Sequence, residues 1–436
     1  MNTMPRYFVW TIGCQMNKAE SHRIAGYLDS AGYLPAPSFS QADLIVLNTC
    51  VVRQSAENKV LGTLGLLKGL KERHPDMRIL VTGCFVNSDV PALQKRFPYV
   101  DLWFKPGDFA QFLNWAREGG LAVNHAAPAK VVPPCAFVPI IQGCNNFCSY
   151  CIVPYRRGRE VSRPIEEIVY EVKTLVKQGV REVTLLGQNV DSYGHDLTGR
   201  PDLGDLLTEL NGIDGLYRIR FLTNHPKDMS QKLIRTIALL PRVCEHIELP
   251  LQSGDDDILR AMRRGYTVEQ YKNLVRTIRD TIPGVALSTD IIVGFPGERE
   301  EQFQRTYSLL QELRFDVVHV AAYSPRPRTL ASRKYRDDVP PDIKKERVQK
   351  IETLQEQIAS EINLQLQGKE YEVLVEGKKQ GKWFGRTRTN KLVFFEHSSQ
   401  CLGELVMVKI DRASPWSLQG TLVSTYDPTS NCWDGR

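Results

Sequence analysis

The stretch GCNNFCSYC, residues 143–151, places three cysteines with three and then two residues between them. Structural zinc takes four Cys or His ligands, yet the next histidine is His195 and the next cysteine is Cys244. A disulfide is the other ordinary use of close cysteines, but the opening residues do not read as a secretion signal, so we expect a cytoplasmic protein with reduced thiols. Iron-sulfur clusters bind closely spaced thiolates, and a cubane with three protein ligands keeps one iron open. The spacing therefore favours a cluster over zinc.

The composition limits the class of protein. At 436 residues the chain is long enough for two or three domains, and its net charge of +6 is mild. A nucleic-acid partner must therefore be argued from local patches. The sequence has no apolar run of about 18 residues, so we predict no membrane span. Ten cysteines indicate metal or redox chemistry, although four have no partner at ligand spacing and are interpreted as ordinary thiols: Cys135, Cys244, Cys401 and Cys432.

Residues 7–119 alternate short apolar runs with helical periodicity, as in YFVWTIG followed by KAESHRIAGYLDSAG. This alternation predicts an α/β unit with a doubly wound parallel sheet. Three predicted strands end at a cysteine, and these residues, Cys14, Cys50 and Cys84, are 36 and then 34 positions apart. Ligands of open α/β sheets bind at the carboxyl ends of strands, so the three thiols can converge there. The alternative is that cysteine is simply a good buried residue near strand ends.

A second series of strands follows HAAPAKVVPP, residues 125–134, a composition typical of a linker. Its six strand patterns are FVPIIQG, REVTLLG, YRIRFLT, HIELPLQ, VALSTDIIVGF and DVVHVAAY, mostly followed by helical segments. Six parallel strands of this kind predict a partial (βα)6 barrel, with its chemistry at the carboxyl ends of the strands. The three-cysteine loop follows the first strand. We predict domains at residues 5–122, 130–363 and 364–426.

The last part of the chain changes character. A long amphipathic helix is predicted for residues 341–367, and short strands with glycine turns then predict a small five-stranded OB-like β-barrel. Within it, KKQGKWFGRTRTNK has six basic residues and no acidic one. Basic residues between aromatic ones suit looped or single-stranded RNA, so the candidate RNA contacts are Lys382, Trp383, Arg386 and Arg388. A solvated hairpin with its aromatic rings in the core is the alternative.

A second basic segment, YRRGREVSR, comes directly after the three-cysteine loop. It carries Arg156, Arg157, Arg159 and Arg163. One interpretation is that some of them contact RNA phosphates near the reacting nucleotide, and Arg156 and Arg157 are the candidates. Salt bridges inside the barrel are the other interpretation.

GCNNFCSYC resembles the cluster loop of radical S-adenosylmethionine enzymes. Together with IVPYRRGRE, GCQMN, NTCVVR, TGC, LLGQNV, LPLQSG and DIIVGFPGE, it makes the chain similar to the methylthiotransferases from about residue 11 to residue 423. Within that family, GCQMN is similar to the enzymes that act on N6-isopentenyladenosine at position 37 of tRNA, next to the anticodon. The resemblance implies a radical S-adenosylmethionine barrel and a C-terminal TRAM domain that grips tRNA.

The resemblance also implies the cofactors, which are two 4Fe-4S clusters and S-adenosylmethionine. One cluster, which generates a 5′-deoxyadenosyl radical, would be ligated by Cys144, Cys148 and Cys151. The other, an auxiliary cluster that presents sulfur, would be ligated by Cys14, Cys50 and Cys84. Substituting sulfur for an aromatic hydrogen is beyond side-chain acids and bases, so the hard step belongs to the cofactors.

Further positions follow from the same resemblance. Tyr150 would lie near the adenine of S-adenosylmethionine, and Gln188 and Asp290, at the ends of the second and fifth barrel strands, near the same cofactor. The family usually reads YSxRxGTxA where this chain reads YSPRPRTLA. Arg328 therefore stands in place of a glycine, and Leu330 in place of a proline.

The implied partners are the anticodon stem-loop of tRNA and an electron donor such as flavodoxin or ferredoxin, and we expect a monomer. One alternative is a sibling methylthiotransferase that acts on threonylcarbamoyladenosine in tRNA or on an aspartate of a ribosomal protein. The other is a non-catalytic iron-sulfur protein that binds RNA. A simple electron carrier is disfavoured, because both cysteine sets lack a fourth ligand and outer-sphere transfer needs no open iron.

Overall fold

The chain is described by a computed structural model that covers residues 4–52, 54–86, 89–119 and 133–426. Residues 125–132 of the predicted linker and Cys432 lie outside the described residues. Within the described ranges, no helix combines the length and the apolarity that crossing a membrane requires. Three units follow one another along the chain, as the sequence predicts.

The N-terminal unit is an open sheet of five parallel strands. Its elements are β1 (Arg6–Thr11), α1 (Gln15–Ser30), β2 (Leu34–Pro35), β3 (Leu44–Thr49), α2 (Gln54–Arg73), β4 (Arg78–Gly83), α3 (Val90–Arg96), β5 (Leu102–Trp103) and α4 (Phe109–Glu118). The strand order is β2-β1-β3-β4-β5, and each neighbouring pair is parallel. The sequence patterns do not predict β2, because two residues carry no periodicity.

Both faces of this sheet are covered, as strand β3 shows. All six of its residues are buried. Ile45 and Leu47 pack into one apolar cluster, and Leu44 and Val46 pack into a second cluster on the opposite face. A strand that is buried on both faces is typical of a doubly wound sheet.

The central unit is an arc of parallel strands with helices outside it. Its elements are β6 (Cys135–Pro139), β7 (Ile141–Gln142), α5 (Val153–Arg157), β8 (Val161–Ser162), α6 (Ile165–Lys177), β9 (Glu182–Leu186), α7 (Leu203–Asn211), β10 (Arg218–Phe221), α8 (Gln231–Leu239), β11 (His246–Glu248), α9 (Asp256–Ala261), α10 (Val268–Thr281), β12 (Ala286–Val293), α11 (Glu300–Leu313), β13 (Val317–Ala322), α12 (Leu330–Lys334) and α13 (Pro341–Leu364). Two parallel sheets, β6-β9-β10 and β11-β12-β13, are joined by a parallel bridge between Ile219 and Val243. The predicted partial barrel of six strands is confirmed.

The C-terminal unit is a closed five-stranded barrel, as predicted. Its strands are β14 (Glu370–Lys379), β15 (Lys382–Thr387), β16 (Leu392–Glu396), β17 (Leu405–Ala413) and β18 (Leu418–Thr425), in the order β14-β15-β16-β18-β17. Helix α13 leads into it from the central unit. Side chains of one face of α13, including Ile351 and Ile358, are buried. Near its end, Asn363 donates hydrogen bonds to the carbonyl oxygens of Ser414 and Pro415 in the small barrel.

Buried ion pairs dock the small barrel against the amino ends of the central strands. Arg218 on β10 is fully buried and bonds to Glu372 of β14 at 2.7 Å. Arg220 pairs with Glu182 at 2.9 Å and also donates to the carbonyl oxygen of Arg388. The Arg388 side chain in turn pairs with Glu245 at 2.8 Å. The hairpin turn of the small barrel is therefore used in contacts within the protein.

Helix α1 joins the N-terminal sheet to the central barrel. Met16 and Ala19 of this helix form an apolar cluster with Leu186 at the carboxyl end of β9, and Phe137 and Leu222 pack against it. The cluster therefore holds the first turns of α1, which begin directly after Cys14, against the carboxyl face of the barrel.

Candidate active site

The N-terminal cysteines converge as their spacing predicts. Cys14 is the residue before α1, and Cys50 and Cys84 directly follow β3 and β4. Strands β1, β3 and β4 are neighbours in the sheet, so the three residues lie at one edge. Gly83 allows the backbones of β3 and β4 to approach each other closely there. Its φ is +89°, and a Cβ atom would lie 2.2 Å from the carbonyl oxygen of Thr49.

The three thiols are close enough to influence one another electrostatically. Burial raises the pKa of Cys50 to about 11, and charge on Cys84 or Cys14 would raise it further. Burial also raises the pKa of Cys84, while the charge of the nearby Arg157 guanidinium lowers it. The set is thus a group of interacting thiols with arginine side chains beside it.

The second set lies in the loop that follows β7. Gly143 opens the loop with φ +84°, and a Cβ atom would sit 1.9 Å from the carbonyl oxygen of Arg159, so only glycine fits. The amide N–H of Gly143 donates to Oε1 of Gln188 at 2.5 Å. Ser149 anchors the middle of the loop to the end of α9, because its Oγ donates to the carbonyl oxygen of Ala261 at 2.7 Å.

These three thiols also influence one another. Burial raises the pKa of Cys144 to about 11, and the neighbouring Cys148 adds to the shift. Burial raises the pKa of Cys151 to about 12, again with a contribution from Cys148. All six cysteines are free thiols. Among the described residues, no group of three or more Cys, His, Asp or Glu side chains has the spacing of ligands around a single metal ion.

Hydrogen-bond donors point at the sulfur atoms of both sets. The N–H of Val52 is 3.4 Å from Sγ of Cys50, and the N–H of Asn146 is 3.5 Å from Sγ of Cys144. Arg264 donates through Nη1 to Sγ of Cys148 at 3.3 Å. Such donors stabilise thiolates and are the usual surroundings of cysteines that bind iron-sulfur clusters. The residues present therefore fit the two clusters that the sequence implies.

The three residues expected near S-adenosylmethionine all lie on the carboxyl half of the barrel. Tyr150 packs against an apolar cluster that includes Met262 and Phe295. Gln188 follows β9 and holds the cysteine loop. Asp290 differs in one respect from the expectation, since it is the fifth residue of the eight-residue strand β12 and does not lie at its end.

The structure also accounts for the two departures from the family pattern. Arg328 has φ +75°, the left-handed conformation for which glycine is the natural residue. Leu330 is the first residue of α12, a position that proline also favours. The loop therefore keeps the backbone geometry that glycine and proline would give it.

The residues expected to bind RNA are placed in two ways. Lys382 and Arg386 are partly exposed, with Glu396 and Glu376 as salt-bridge partners. The expectation that Trp383 stacks on RNA is wrong. Its ring lies in the core of the small barrel, and its Nε1 donates to the carbonyl oxygen of His397.

The expectation that Arg388 and Arg157 contact RNA is also wrong, because both side chains are used in ion pairs within the protein. Arg388 is bound to Glu245 at the junction between the two barrels. Arg157 forms a buried salt bridge with Glu20. Arg156, like Arg157, lines a cavity of about 450 Å³ between the N-terminal unit and α5, together with Lys105, Gln142 and Tyr155.

Four polar residues that the sequence reasoning missed lie in the turns after β9 and β10: Asn189, Asp191, Asn224 and His225. Each has a buried side-chain atom with no hydrogen-bond partner among the described residues. Burial lowers the pKa of His225 to about 2, so its ring is neutral. The segments QNVDSY and TNHPKD, at predicted carboxyl strand ends, were the available signal.

Comparison with known families places each unit. The chain matches a model described as the radical SAM superfamily over residues 138–310 and a model described as the TRAM domain over residues 364–423. Residues 6–105 match a model described as uncharacterized protein family UPF0004. These three ranges correspond to the three structural units.

Two curated relatives are similar over nearly the whole chain. A tRNA-2-methylthio-N(6)-dimethylallyladenosine synthase of Dehalococcoides mccartyi (strain CBDB1) is 53% identical over 424 residues, which are 97% of this chain and 100% of the relative. An enzyme of the same name from Chloroflexus aurantiacus is 49% identical over 425 residues, 95% of this chain and 91% of the relative.

Solved structures share the fold. The radical S-adenosylmethionine methyltransferase TsrM from Kitasatospora setae has a TM-score of 0.54 at 15% identity, covering 76% of this chain and 74% of TsrM. The cobalamin-dependent radical enzyme OxsB has a TM-score of 0.51 at 11% identity, covering 80% of this chain and 56% of OxsB.

Proposed function

The chain belongs to the family of tRNA-2-methylthio-N(6)-dimethylallyladenosine synthases, and from this membership we propose that it converts N6-isopentenyladenosine at position 37 of tRNA into its 2-methylthio derivative. The observation that carries the proposal is the pair of three-cysteine sets. The N-terminal set lies at the carboxyl ends of parallel strands and the second set lies in the loop that follows β6 and β7, and each consists of thiols close enough to influence one another. One reaction needs both a radical and a source of sulfur, and two sets serve these two needs.

The residues that would hold the cofactors follow from this arrangement. Cys144, Cys148 and Cys151 would hold a 4Fe-4S cluster, and Tyr150, Gln188 and Asp290 would surround the S-adenosylmethionine bound beside it. Cys14, Cys50 and Cys84 would hold an auxiliary 4Fe-4S cluster. When bound, these groups supply radical generation by reductive cleavage of S-adenosylmethionine and the sulfur that is transferred.

The protein's own side chains hold the cysteine loop in one position. Gln188 accepts from the backbone of Gly143, Ser149 donates to the end of α9, and Arg264 places a cation beside Cys148. Arg264 also donates to the carbonyl oxygen of Pro250 at 2.8 Å, and this second hydrogen bond fixes the position of its guanidinium. This preorganisation means that the thiolates need not rearrange when charge changes at the loop.

The four polar residues in the turns after β9 and β10, each with a buried atom that has no hydrogen-bond partner among the described residues, suit the recognition of a nucleoside. The N–H of Lys227 donates to Nδ1 of His225 at 3.2 Å, so the neutral ring carries its proton on Nε2. Nε2 is buried and has no hydrogen-bond partner among the described residues. The same is true of Oδ1 of Asp191 and of both Oδ1 and Nδ2 of Asn224. A purine base or a ribose offers the acceptors and donors that would satisfy these atoms.

Surface residues that would contact the rest of the tRNA are fewer than the sequence suggests. Arg156 and Lys105 line the cavity beside the cysteine loop, and Lys382 and Arg386 are partly exposed on the small barrel. Cations at these two places would bind phosphates on either side of the reacting nucleotide. The target base would leave its stack, which is easier in a loop than in a duplex.

The surroundings of the reaction are part of the proposal. We expect the protein to act in the cytoplasm, as a monomer, with an electron donor of the flavodoxin or ferredoxin type. Both clusters need reduced thiols as ligands, which the cytoplasm maintains.

An anaerobic assay tests the proposal. The protein is reconstituted with iron and sulfide and mixed with dithionite, S-adenosylmethionine and tRNA that carries N6-isopentenyladenosine. Mass spectrometry then follows 5′-deoxyadenosine and the digested nucleosides. We expect the 2-methylthio nucleoside from the unsubstituted chain and none from Cys14→Ala or Cys144→Ala. Cys401→Ala is the matched control, because this buried thiol lies in the core of the small barrel, outside both sets.

Each outcome has a distinct meaning. Formation of 5′-deoxyadenosine without the modified nucleoside would keep the radical chemistry and refute the substrate, pointing to a sibling specificity. The absence of both products from protein with full iron content would refute the enzyme proposal and favour a protein that only binds RNA. Equal activity of Cys14→Ala and Cys401→Ala would refute the role of the N-terminal set.

A further inference from the structure

One arginine connects the two cysteine sets. Arg157 ends α5, six positions after Cys151 in the sequence, yet its side chain reaches the N-terminal unit. Its Nη1 lies 2.8 Å from Oε1 of Glu20, which is on α1, six positions after Cys14. The two side chains are only 2% and 6% exposed. A buried ion pair thus joins the segments that directly follow the two sets.

The guanidinium faces the auxiliary thiols. It lines one cavity with Val86, two positions after Cys84, and its charge lowers the pKa of Cys84 and of Cys50. Two further arginines of the central unit face the same set, since Arg156 interacts with Cys84 and Arg326 with Cys50. Arg326 is paired with Glu57 at 3.4 Å. Arg157 forms the more deeply buried ion pair, because the side chains of Arg157 and Glu20 are 2% and 6% exposed and those of Arg326 and Glu57 are 5% and 31% exposed.

We propose that Arg157 is a positioning residue that sets the reduction potential of the auxiliary cluster, with Glu20 as the opposing charge. The inference rests on the proposed function in one respect, namely that the N-terminal set holds a 4Fe-4S cluster. Adding an electron to a cluster makes it more negative, so a nearby cation favours the reduced form and a nearby anion disfavours it.

The two partners of the ion pair therefore give opposite predictions. Arg157→Gln removes the cation, and at a fixed potential the ratio of reduced to oxidised cluster should fall at least tenfold, which is ~59 mV for one electron. Glu20→Gln removes the anion and leaves the cation in place, so the ratio should rise. Both substitutions break the same salt bridge, so a merely structural role would move both values in one direction. Arg157→Lys keeps a charge and should lie closer to the unsubstituted protein.

The measurement uses the full-length chain. In the background Cys144→Ala, Cys148→Ala and Cys151→Ala, only the auxiliary set can take up iron, so one cluster is titrated. The protein is reconstituted anaerobically, its iron and sulfide are counted, and the potential is read from a redox titration followed by electron paramagnetic resonance. Arg163→Gln is the control, because Arg163 lies in the same basic segment and its Nη2 is paired with Glu171 at 2.7 Å. It should leave the potential unchanged.

Opposite shifts for Arg157→Gln and Glu20→Gln would support the proposal. Shifts in one direction, or no shift in either variant at full iron content, would overturn it. If Arg157→Gln does not bind a cluster, Glu20→Gln decides alone: a higher potential supports the proposal, and an unchanged or lower one overturns it. Failure of the proposed function would be visible earlier, because the background protein itself would then bind no iron at the N-terminal set, and the inference would fall with it.

Discussion

Replacing Arg218 by methionine should loosen the C-terminal barrel from the central one. The guanidinium is fully buried, and every hydrogen bond that it makes to the described residues crosses this junction. It donates to Oε1 of Glu372 at 2.7 Å from Nη2 and at 3.1 Å from Nε, and to the carbonyl oxygen of Arg386 at 2.6 Å. Nη2 also donates to the carbonyl oxygen of Glu372 at 3.2 Å, and methionine, which has a similar length, leaves all four hydrogen bonds unmade.

The free energy of opening the junction should fall strongly, because buried acceptors would remain without a donor. The carboxylate of Glu372 and the carbonyl oxygen of Arg386 would stay at the junction without their donor. Breaking a buried pair by removing one partner costs about 3–5 kcal/mol, and each orphaned acceptor contributes about 1–3 kcal/mol of this. We therefore expect the free energy of opening the junction to fall by about 3 kcal/mol or more.

Hydrogen exchange measures this opening locally, which avoids the assumption of two-state unfolding in a chain of three units. Amides of β14 and β15 should exchange about 100-fold faster in Arg218→Met, because each 1.4 kcal/mol is a factor of ten. Arg260→Met is the matched control. Arg260 pairs with Asp257 at an exposed site, where the two side chains are 74% and 71% exposed, and such pairs contribute about 0–1 kcal/mol.

An acceleration of less than about fivefold in Arg218→Met would refute the reasoning, since it corresponds to less than about 1 kcal/mol. The double variant Arg218→Met, Glu372→Met adds a second check. Removing both charges leaves no orphaned carboxylate, so the double variant should be more protected than the single one. Strict additivity of the two substitutions would show that the ion pair does not stabilise the junction.

Three further predictions concern single residues. Burial lowers the pKa of His246 to about 3 in the folded protein, whereas the unfolded chain takes up a proton near pH 6.5, so the folded protein loses stability as the pH falls below 6.5. His246→Gln should therefore reduce the loss of unfolding free energy between pH 7.5 and 5.5 by about 1.4 kcal/mol, as measured by denaturant titrations. Arg328→Gly should raise the melting midpoint, with a gain of about 0.5–1 kcal/mol, because it relieves a left-handed arginine; a lower midpoint would contradict this. Gly143→Ala should reduce the iron content from about eight to about four per chain, whereas Gly158→Ala, with φ +82° but open space around it, should retain more; equal contents would contradict the steric argument.

The sequence predicts those features that repeat or that lie close together along the chain. Cys14, Cys50 and Cys84 each follow an apolar run, and parallel strands bring such positions to one edge, so their convergence can be predicted without a structure. The order of the three units is predicted from the linker composition of residues 125–134 and from the change to short strands with glycine turns after the long helix. β2, with only two residues, carries no such pattern.

The arginines show what the sequence does not reveal. Arg157 pairs with a residue 137 positions away, and Arg388 with one 143 positions away. A basic residue that binds RNA and one that fills a buried ion pair look identical in a sequence, because the difference lies in a distant carboxylate. Trp383 is ambiguous for the same reason, since only the closure of the small barrel decides whether its ring is inside.

The way in which the small barrel is docked affects how its contribution can be studied. A protein truncated after residue 363 would lose the carbonyl oxygens and the carboxylate that now surround Arg218 and Arg220. The shortened enzyme would then expose two cations and the buried amino ends of the central strands to water. Weak tRNA binding by such a fragment would report a damaged scaffold as much as a missing RNA contact. Point substitutions on the outer surface, at Lys382 and Arg386, separate the two causes.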